Sequence, residues 1–314
     1  MRFPGELDAA VDSWLEGRRQ GLGARTAALS ATYHKGKGSG GVDLAAYLTA
    51  RLPATYAVNA RVMEEVAALR PGFAPVSLAD IGAGPGTAGW AALAQWPSLS
   101  AVEQVESSAA FADVLQAMNA ASGMPALEGA TVRRENVTQW AGPSRDVVLA
   151  SYVLVELPVA AVRDVVVRLW AAAGQMLVLI EPGTPEGFAR MRVARELLLG
   201  QSGVIVAPCT HHAACPMTGS DWCHFKERVQ RSRAHMHAKG ATVPFEDEPY
   251  SYLVVAREAD SARAVARVLA PPEVSKIGVG MKLCSAEGLT RPVVPARDKA
   301  AYKRAKKVAW GDVV

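Results

Sequence analysis

The sequence predicts an α/β fold built on a doubly wound parallel sheet, with a helical region before it and a small β unit after it. Three observations predict it. From Val76 to Ile180, short continuous apolar runs alternate with segments of helical periodicity, the pattern of strands buried on both faces by crossover helices. The first run ends in a glycine-rich turn that opens a helix. Upstream of Val76 only the helical period is present.

Each element follows from its pattern. Leu7, Ala10, Val11, Trp14 and Leu15 recur at helical spacing, Leu44–Leu52 forms a second run before Pro53, and Val58, Val62, Val66 and Leu69 stripe a third over Tyr56–Leu69. Between the first two lies the loop HKGKGSGG at 34–41. Strands are expected at Val76–Ile81, Leu99–Glu106, Thr131–Arg134, Asp146–Tyr152 and Met176–Ile180, interleaved with helices through Trp90–Trp96, Ala109–Ala121 and Ala160–Ala173. A helix at Phe188–Leu199 and a strand at Tyr250–Ala256 follow. After Pro271 and Pro272 short alternating segments run to the end. The expected division is a helical region over 1–70, a ligand-binding core over 71–205, and over 206–314 a cysteine loop, the last core strands and a small β unit.

Composition narrows the class. With 314 residues, 50% hydrophobic and 20% charged, the chain is ordinary globular material for one large domain with additions. No stretch approaches the roughly 20 apolar residues of a membrane-crossing helix, and the start has acids early and neither a signal core nor an arginine-rich leader. The expectation is a cytoplasmic, bacterial protein, a monomer off its partner and without a membrane. A formal charge of +4 names no partner, but Arg297, Lys299, Lys303, Arg304, Lys306 and Lys307 face only Asp298 in the tail, and Lys226, Arg228, Arg231 and Arg233 follow the third cysteine. Such runs suit nucleic acid or a merely solvated face.

The glycine loop is the first chemical signal. VSLADI runs directly into Gly82-Ala83-Gly84-Pro85-Gly86-Thr87, where glycines let the backbone turn and approach a ligand and the next helix offers free amides. A dinucleotide site would prefer glycine at 87, giving GxGxxG; here Thr87 stands there and the glycine falls at 86. Acid-x-Gly-x-Gly-x-Gly instead resembles the signature of the class I S-adenosylmethionine-dependent methyltransferase (Rossmann-like) fold. Asp80 suits a sulfonium ligand without phosphates. Glu106, ending the second strand, can accept both ribose hydroxyls, with Glu103 as the competitor, and Asn136 can reach the adenine edge. With Gly82, Gly84, Gly86, Thr87 and Ser151 these form the expected cofactor set.

Catalytic signatures are sparse. The segment Ser151-Tyr152-Val153-Leu154-Val155-Glu156-Leu157 is not the Asn/Asp-Pro-Pro-aromatic pattern of base amine methylation. No cysteine falls in the core and no lysine between 38 and 225, which closes the covalent pyrimidine route and the lysine-based ribose route. Tyr152, Glu156 and Glu181 remain as candidates beside Gly183 and Thr184, each with helix capping or loop packing as an equal alternative. Whether methyl transfer occurs stays open.

All four cysteines lie late: Cys209, Cys215, Cys223 and Cys284. Their clustering favours metal over disulfides in a reducing compartment. Zinc knuckles of the CxxC kind are absent, and the looser spacing fits an iron–sulfur cluster, with His211, His212 and His224 keeping mixed-ligand zinc open.

Taken together the chain resembles the methyltransferase-like family of the mitochondrial small ribosomal subunit and its bacterial relatives. The likeness runs through Arg51-Leu-Pro-Ala-Thr-Tyr56, the loop from Asp80 to Thr87, Val105-Glu-Ser-Ser-Ala109, Ser151 to Pro158 and Glu181-Pro-Gly-Thr-Pro185. It continues through Ala207-Pro-Cys-Thr-His211, Cys215-Pro216, Leu283-Cys284 and Trp310-Gly-Asp312. The resemblance implies a [4Fe-4S] cluster on the four cysteines, with zinc as the alternative. It also implies association with the small ribosomal subunit through its rRNA, in modification or in non-catalytic assembly.

Overall fold

The computed structural model describes residues 4–34, 42–231, 235–236, 242–258 and 265–314, with side chains 30–34 outside that description; the expected loop at 34–41 and Arg233 fall largely or wholly outside it. Four helices come first: α1 (Gly5–Leu15), α2 (Leu22–His34), α3 (Leu44–Ala50) and α4 (Leu52–Leu69). Asp43 caps α3 by accepting from Ala46 N (3.0 Å), while the Arg25 guanidinium forks onto the same carboxylate at 2.5 and 2.8 Å and ties α2 to α3.

The core then alternates: β1 (Ser77–Ile81), α5 (Thr87–Gln95), β2 (Ala101–Val105), α6 (Ala109–Ala120), α7 (Pro125–Glu128), β3 (Thr131–Arg133), β4 (Arg145–Ser151), α8 (Val159–Ala172), β5 (Ala173–Pro182) and α9 (Pro185–Gly200). Next come β6 (Val204–Ala207), β7 (Phe225–Gln230) and the long β8 (Phe245–Ala256). The main sheet has the order β3-β2-β1-β4-β5-β8-β6, with β7 also paired to β8. Strands β1 to β5 run parallel, and β8 is antiparallel to β5 and β6. This is a Rossmann-like methyltransferase fold with helices before the first strand.

The continuous apolar runs have the physical reason expected of them. Along β4, Val147 and Leu149 join the cluster under α4, α5 and α6, while Val148 and Ala150 join the one under α8 and α9. With alternate side chains committed to opposite faces, neither face tolerates a polar residue. Because β8 is 12 residues long and Pro182 pairs with Tyr250, its first residues, through Glu248, project past the carboxyl end of β5.

The C-terminal part departs from the expected unit. β10 (Glu273–Val274), β11 (Gly278–Gly280) and β14 (Val293–Pro295) form one three-stranded sheet, while β9 (Ala266–Val268), β12 (Leu283–Ser285) and β13 (Gly288–Thr290) form another. The run VGMKLC at 279–284 is split at Met281 and Lys282 between the two sheets. A helix, α10 (Lys299–Ala305), has no counterpart among the expected elements; Asp298 caps it by accepting from Ala301 N at 3.0 Å. The last residues are held by β9: Val268 N donates to Asp312 O, and Ala266 and Val314 exchange both backbone bonds. Among the described residues no helix is long and apolar enough to cross a membrane.

Candidate functional site

Ligands of open α/β sheets sit outside the carboxyl ends of the strands where the order reverses. Here that edge lies between β1 and β4, where the glycine loop and Ser151 leave the sheet side by side. Gly82, Gly84 and Gly86 all have positive φ (71°, 54° and 87°). A Cβ at Gly82 would meet Val153 Cγ2 at 2.4 Å and one at Gly86 would meet Leu115 Cδ1 at 2.7 Å, whereas Gly84 faces nothing within 4 Å. The outer two glycines are therefore needed for packing, and the middle one borders open space.

The acids of the edge differ in what they bond. Asp80 is 1% exposed and accepts from Gly89 N at 3.1 Å, tying β1 to α5; burial, with Glu106 nearby, pushes its carboxyl up to about 7 against the pull of that amide. Asp80 thus braces the glycine turn from inside, between β1 and α5. Glu106 accepts from Gly84 N (2.9 Å) through one oxygen and from Ser108 N (2.7 Å) through the other. Each oxygen retains a lone pair, so the carboxylate is oriented and still able to accept. Its competitor Glu103 is fully buried and occupied by Arg133 (2.8 Å), Arg145 (2.9 Å) and Trp140 Nε1 (3.3 Å). Asn136 is exposed, with its Oδ1 accepting from Thr138 N and Oγ1 in a local turn. Thr87 is buried in the first turn of α5.

At the end of β4, Ser151 Oγ accepts from Asn59 Nδ2 at 3.1 Å. Tyr152 follows with φ +60°, a conformation that non-glycine residues seldom adopt. Its hydroxyl reaches Glu248 Oε1 at 3.5 Å, and Glu248 is held by the Arg51 fork at 2.9 and 3.1 Å. Burial and the neighbouring carboxylate keep the phenol well above its usual range. Glu181 is fully buried and accepts from Leu154 N (2.7 Å) and Val155 N (3.0 Å), capping the 3₁₀ turn at 154–156; burial pushes it up to about 8. Glu156 is exposed on that turn. Of the three catalytic candidates, Glu181 is thus bonded as a cap and Tyr152 turned toward an ion pair. Asn59 and Glu248 carried no local signal in the sequence, and Arg51 only its place in the segment Arg51–Tyr56; the packing of α4 over the strand ends and the overshoot of β8 bring them to this edge.

The four cysteines share one cleft, lined also by Arg195, His211, Met191 and Met217. Cys284 Sγ lies 3.5 Å from His211 Nε2. The loop is tied down by Arg195 Nη2 donating to His211 O (3.2 Å) and Ala213 O (2.6 Å), by Ser251 Oγ donating to Cys223 O (2.8 Å), and by Arg267 Nε donating to Pro208 O (2.8 Å). Lys282 pairs with Asp221 at 2.6 Å and holds the loop beside the strand of Cys284. Burial pushes the thiols of Cys209 and Cys223 up and that of Cys284 to about 11. One expectation is corrected here. Among the described residues no group of three or more His, Cys, Asp or Glu could hold a metal ion as it stands. The iron–sulfur cage is therefore not ready-made, although all four cysteines line the same cleft.

The basic segments also separate. Arg228 forks onto Asp247 at 2.8 and 3.2 Å, Arg231 pairs with Glu246 at 2.9 Å, and Lys226 sits over the Trp310 ring at 5.6 Å. Lys299, Lys303, Arg304, Lys306 and Lys307 are exposed on and after α10.

Comparison with known proteins adds the following. The family model described as "Mitochondrial small ribosomal subunit Rsm22" matches residues 42–314. The human "Ribosome assembly protein METTL17, mitochondrial" is 30% identical over 286 residues, covering 85% of this chain and 61% of its own length. "Rsm22-cox11 tandem protein 2, mitochondrial" of Schizosaccharomyces pombe is 28% identical over 196 residues, 48% of this chain and 26% of that one. The chain therefore spans less than two thirds of the length of these relatives. They are mitochondrial proteins, which overturns the expectation of a bacterial cytoplasmic location. Among solved structures, magnesium protoporphyrin IX methyltransferase from Synechocystis PCC 6803 is similar with a TM-score of 0.44 and 13% identity, covering 74% of this chain and 99% of that one. The ribosomal protein L11 methylase of Lactobacillus delbrueckii subsp. bulgaricus is similar with a TM-score of 0.39 and 14% identity, covering 64% and 77%.

Proposed function

The chain belongs to the mitochondrial small ribosomal subunit Rsm22 family, and from that premise we propose that it is a small-subunit assembly factor that binds S-adenosylmethionine at the carboxyl edge of its sheet. The observation that carries the cofactor half is the pairing of open space at Gly84 with a braced Glu106. In this reading Glu106 receives the ribose hydroxyls, the loop from Gly82 to Thr87 lets the ligand approach, Asn136 meets the adenine edge and Ser151 the opposite end. The bound cofactor supplies an electrophilic methyl group. Assembly is preferred to methyl transfer because Glu181 is committed to two backbone amides and Tyr152 to the Arg51–Glu248 pair. The competing reading, methyl transfer to rRNA, draws on the strained backbone of Tyr152 at this edge.

Two further parts belong to the proposal. The contact to small-subunit rRNA runs through α10 and the residues after it, since Arg228 and Arg231 already have acidic partners. Cys209, Cys215, Cys223 and Cys284 act as a soft-metal ligand set that closes only on loading, when the thiols lose their protons; metal and sulfide analysis names the occupant. The chain works as a single copy, organised as 1–70, 71–205 and 206–314.

Calorimetry with S-adenosylmethionine tests the cofactor half. Glu106→Ala removes a charge-assisted acceptor and should weaken binding by about 1.5–3 kcal/mol. Unchanged affinity, or no binding by the unaltered protein, would sink the reading. Deleting the gene and finding a methyl mark missing from small-subunit rRNA would decide for catalysis.

A further inference from the structure

We infer that Asn59, on α4, reads the amino-acid end of the cofactor together with Ser151. The inference rests on the crevice being an S-adenosylmethionine site and assigns a residue outside the glycine loop to it.

The placement follows from register. Ile81 of β1 pairs with Ala150 of β4, so Gly82 and Ser151 leave the sheet side by side. Glu106 leaves it two strands away, at the end of β2. Two strand spacings are about 10 Å, a span that the cofactor covers from ribose to amino acid. With the ribose on Glu106, the charged end falls beside Ser151, where Asn59 is the helix residue bonded to that serine.

The chemistry of Asn59 follows from its own bonds. Its Nδ2 donates to Thr55 O at 2.8 Å and to Ser151 Oγ at 3.1 Å. Thr55 O is a backbone carbonyl and only accepts, so the nitrogen must face it and the amide orientation is fixed. Both amide protons are then used. The remaining atom, Oδ1, is buried, has no partner, and belongs to a side chain 1% exposed. A buried acceptor without a donor is costly, and a donor that brings a full positive charge answers it best. The cofactor's α-ammonium is such a donor. Asn59 also fixes Ser151: with its oxygen accepting from Nδ2, the serine hydroxyl proton is free to point to the α-carboxylate.

Two thioether probes isolate this end. S-adenosylhomocysteine and 5′-methylthioadenosine share the adenosine and the sulfur and differ in the amino-acid chain. In Asn59→Ala, calorimetry should give S-adenosylhomocysteine an affinity lower by about ten-fold or more, with 5′-methylthioadenosine held within about two-fold. Retained methylthioadenosine binding reports that the crevice is still folded. Ser151→Ala, which leaves α4 in place, should show the same split if Asn59→Ala does not fold. An equal fall for both probes would mark Asn59 as structural, and an unchanged S-adenosylhomocysteine affinity would likewise overturn the inference. If the unaltered protein binds neither probe, the cofactor reading fails first and takes this one with it.

Discussion

Alanine at Gly82 and at Gly84 should give opposite phenotypes although the two residues are nearly adjacent and both have positive φ. The shared cost is conformational: an L-residue in the left-handed region loses roughly 1–2 kcal/mol. Gly84→Ala carries only that, because its Cβ enters open space. Gly82→Ala adds a contact of 2.4 Å with Val153 Cγ2, a branched side chain that is 7% exposed and packed in the core under α8 and α9. Overpacking of that kind costs about 1–3 kcal/mol more, for a total of about 2–5. At about 2 °C per kcal/mol for a chain of this size, thermal unfolding should fall by about 2–4 °C for Gly84→Ala and about 4–10 °C for Gly82→Ala. Calorimetry with S-adenosylhomocysteine should reverse the order, since the Gly84 methyl group fills space that the ligand needs. Equal melting shifts would refute the steric argument at Gly82. Full ligand affinity in Gly84→Ala would refute the assignment of the open space.

Other outcomes are expected from the same geometry. Glu181 has its folded carboxyl pushed up to about 8 from an ordinary 4.5, so the folded state prefers the protonated form. Its contribution is therefore full below about pH 4.5 and is lost as pH rises through about 8; urea titrations across that window should show a steeper decline in the unaltered protein than in Glu181→Gln. If α10 holds rRNA, replacing Lys303, Arg304, Lys306 and Lys307 with serine should flatten the log–log salt dependence of binding to single-stranded rRNA fragments by about 0.7 for each phosphate no longer neutralised; a slope that does not change would move the contact elsewhere. Cys284→Ser should lower bound metal after anaerobic purification and make the segment beyond about residue 205 sensitive to protease, because the remote ligand closes a long loop. Full metal content in that variant would remove Cys284 from the ligand set.

Much of the core was legible in the sequence because its signals are local. A continuous apolar run such as Val147–Ala150 can only be a strand buried on both faces, and a glycine loop between strand and helix has few other uses. The spacing of Gly82, Gly84 and Gly86 pointed to the methyltransferase-type fold without coordinates. Tertiary structure alone decided between chemically equal side chains. Glu103 and Glu106 differ by three residues, yet strand alternation buries one among two arginines and a tryptophan and leaves the other at the sheet edge. In sequence Glu181 stands equally as a catalytic candidate and as a cap, and only the fold shows the amides of the turn at 154–156 bonded to it. Likewise Arg228 and Arg231 are neutralised by β8, 15 to 19 residues away in sequence, while the basic residues on α10 stay exposed. Arg51, Asn59 and Glu248 meet the cofactor edge from 92 or more residues away in sequence. No periodicity records such a meeting, since it depends on how α4 packs across the sheet and how far β8 overshoots β5.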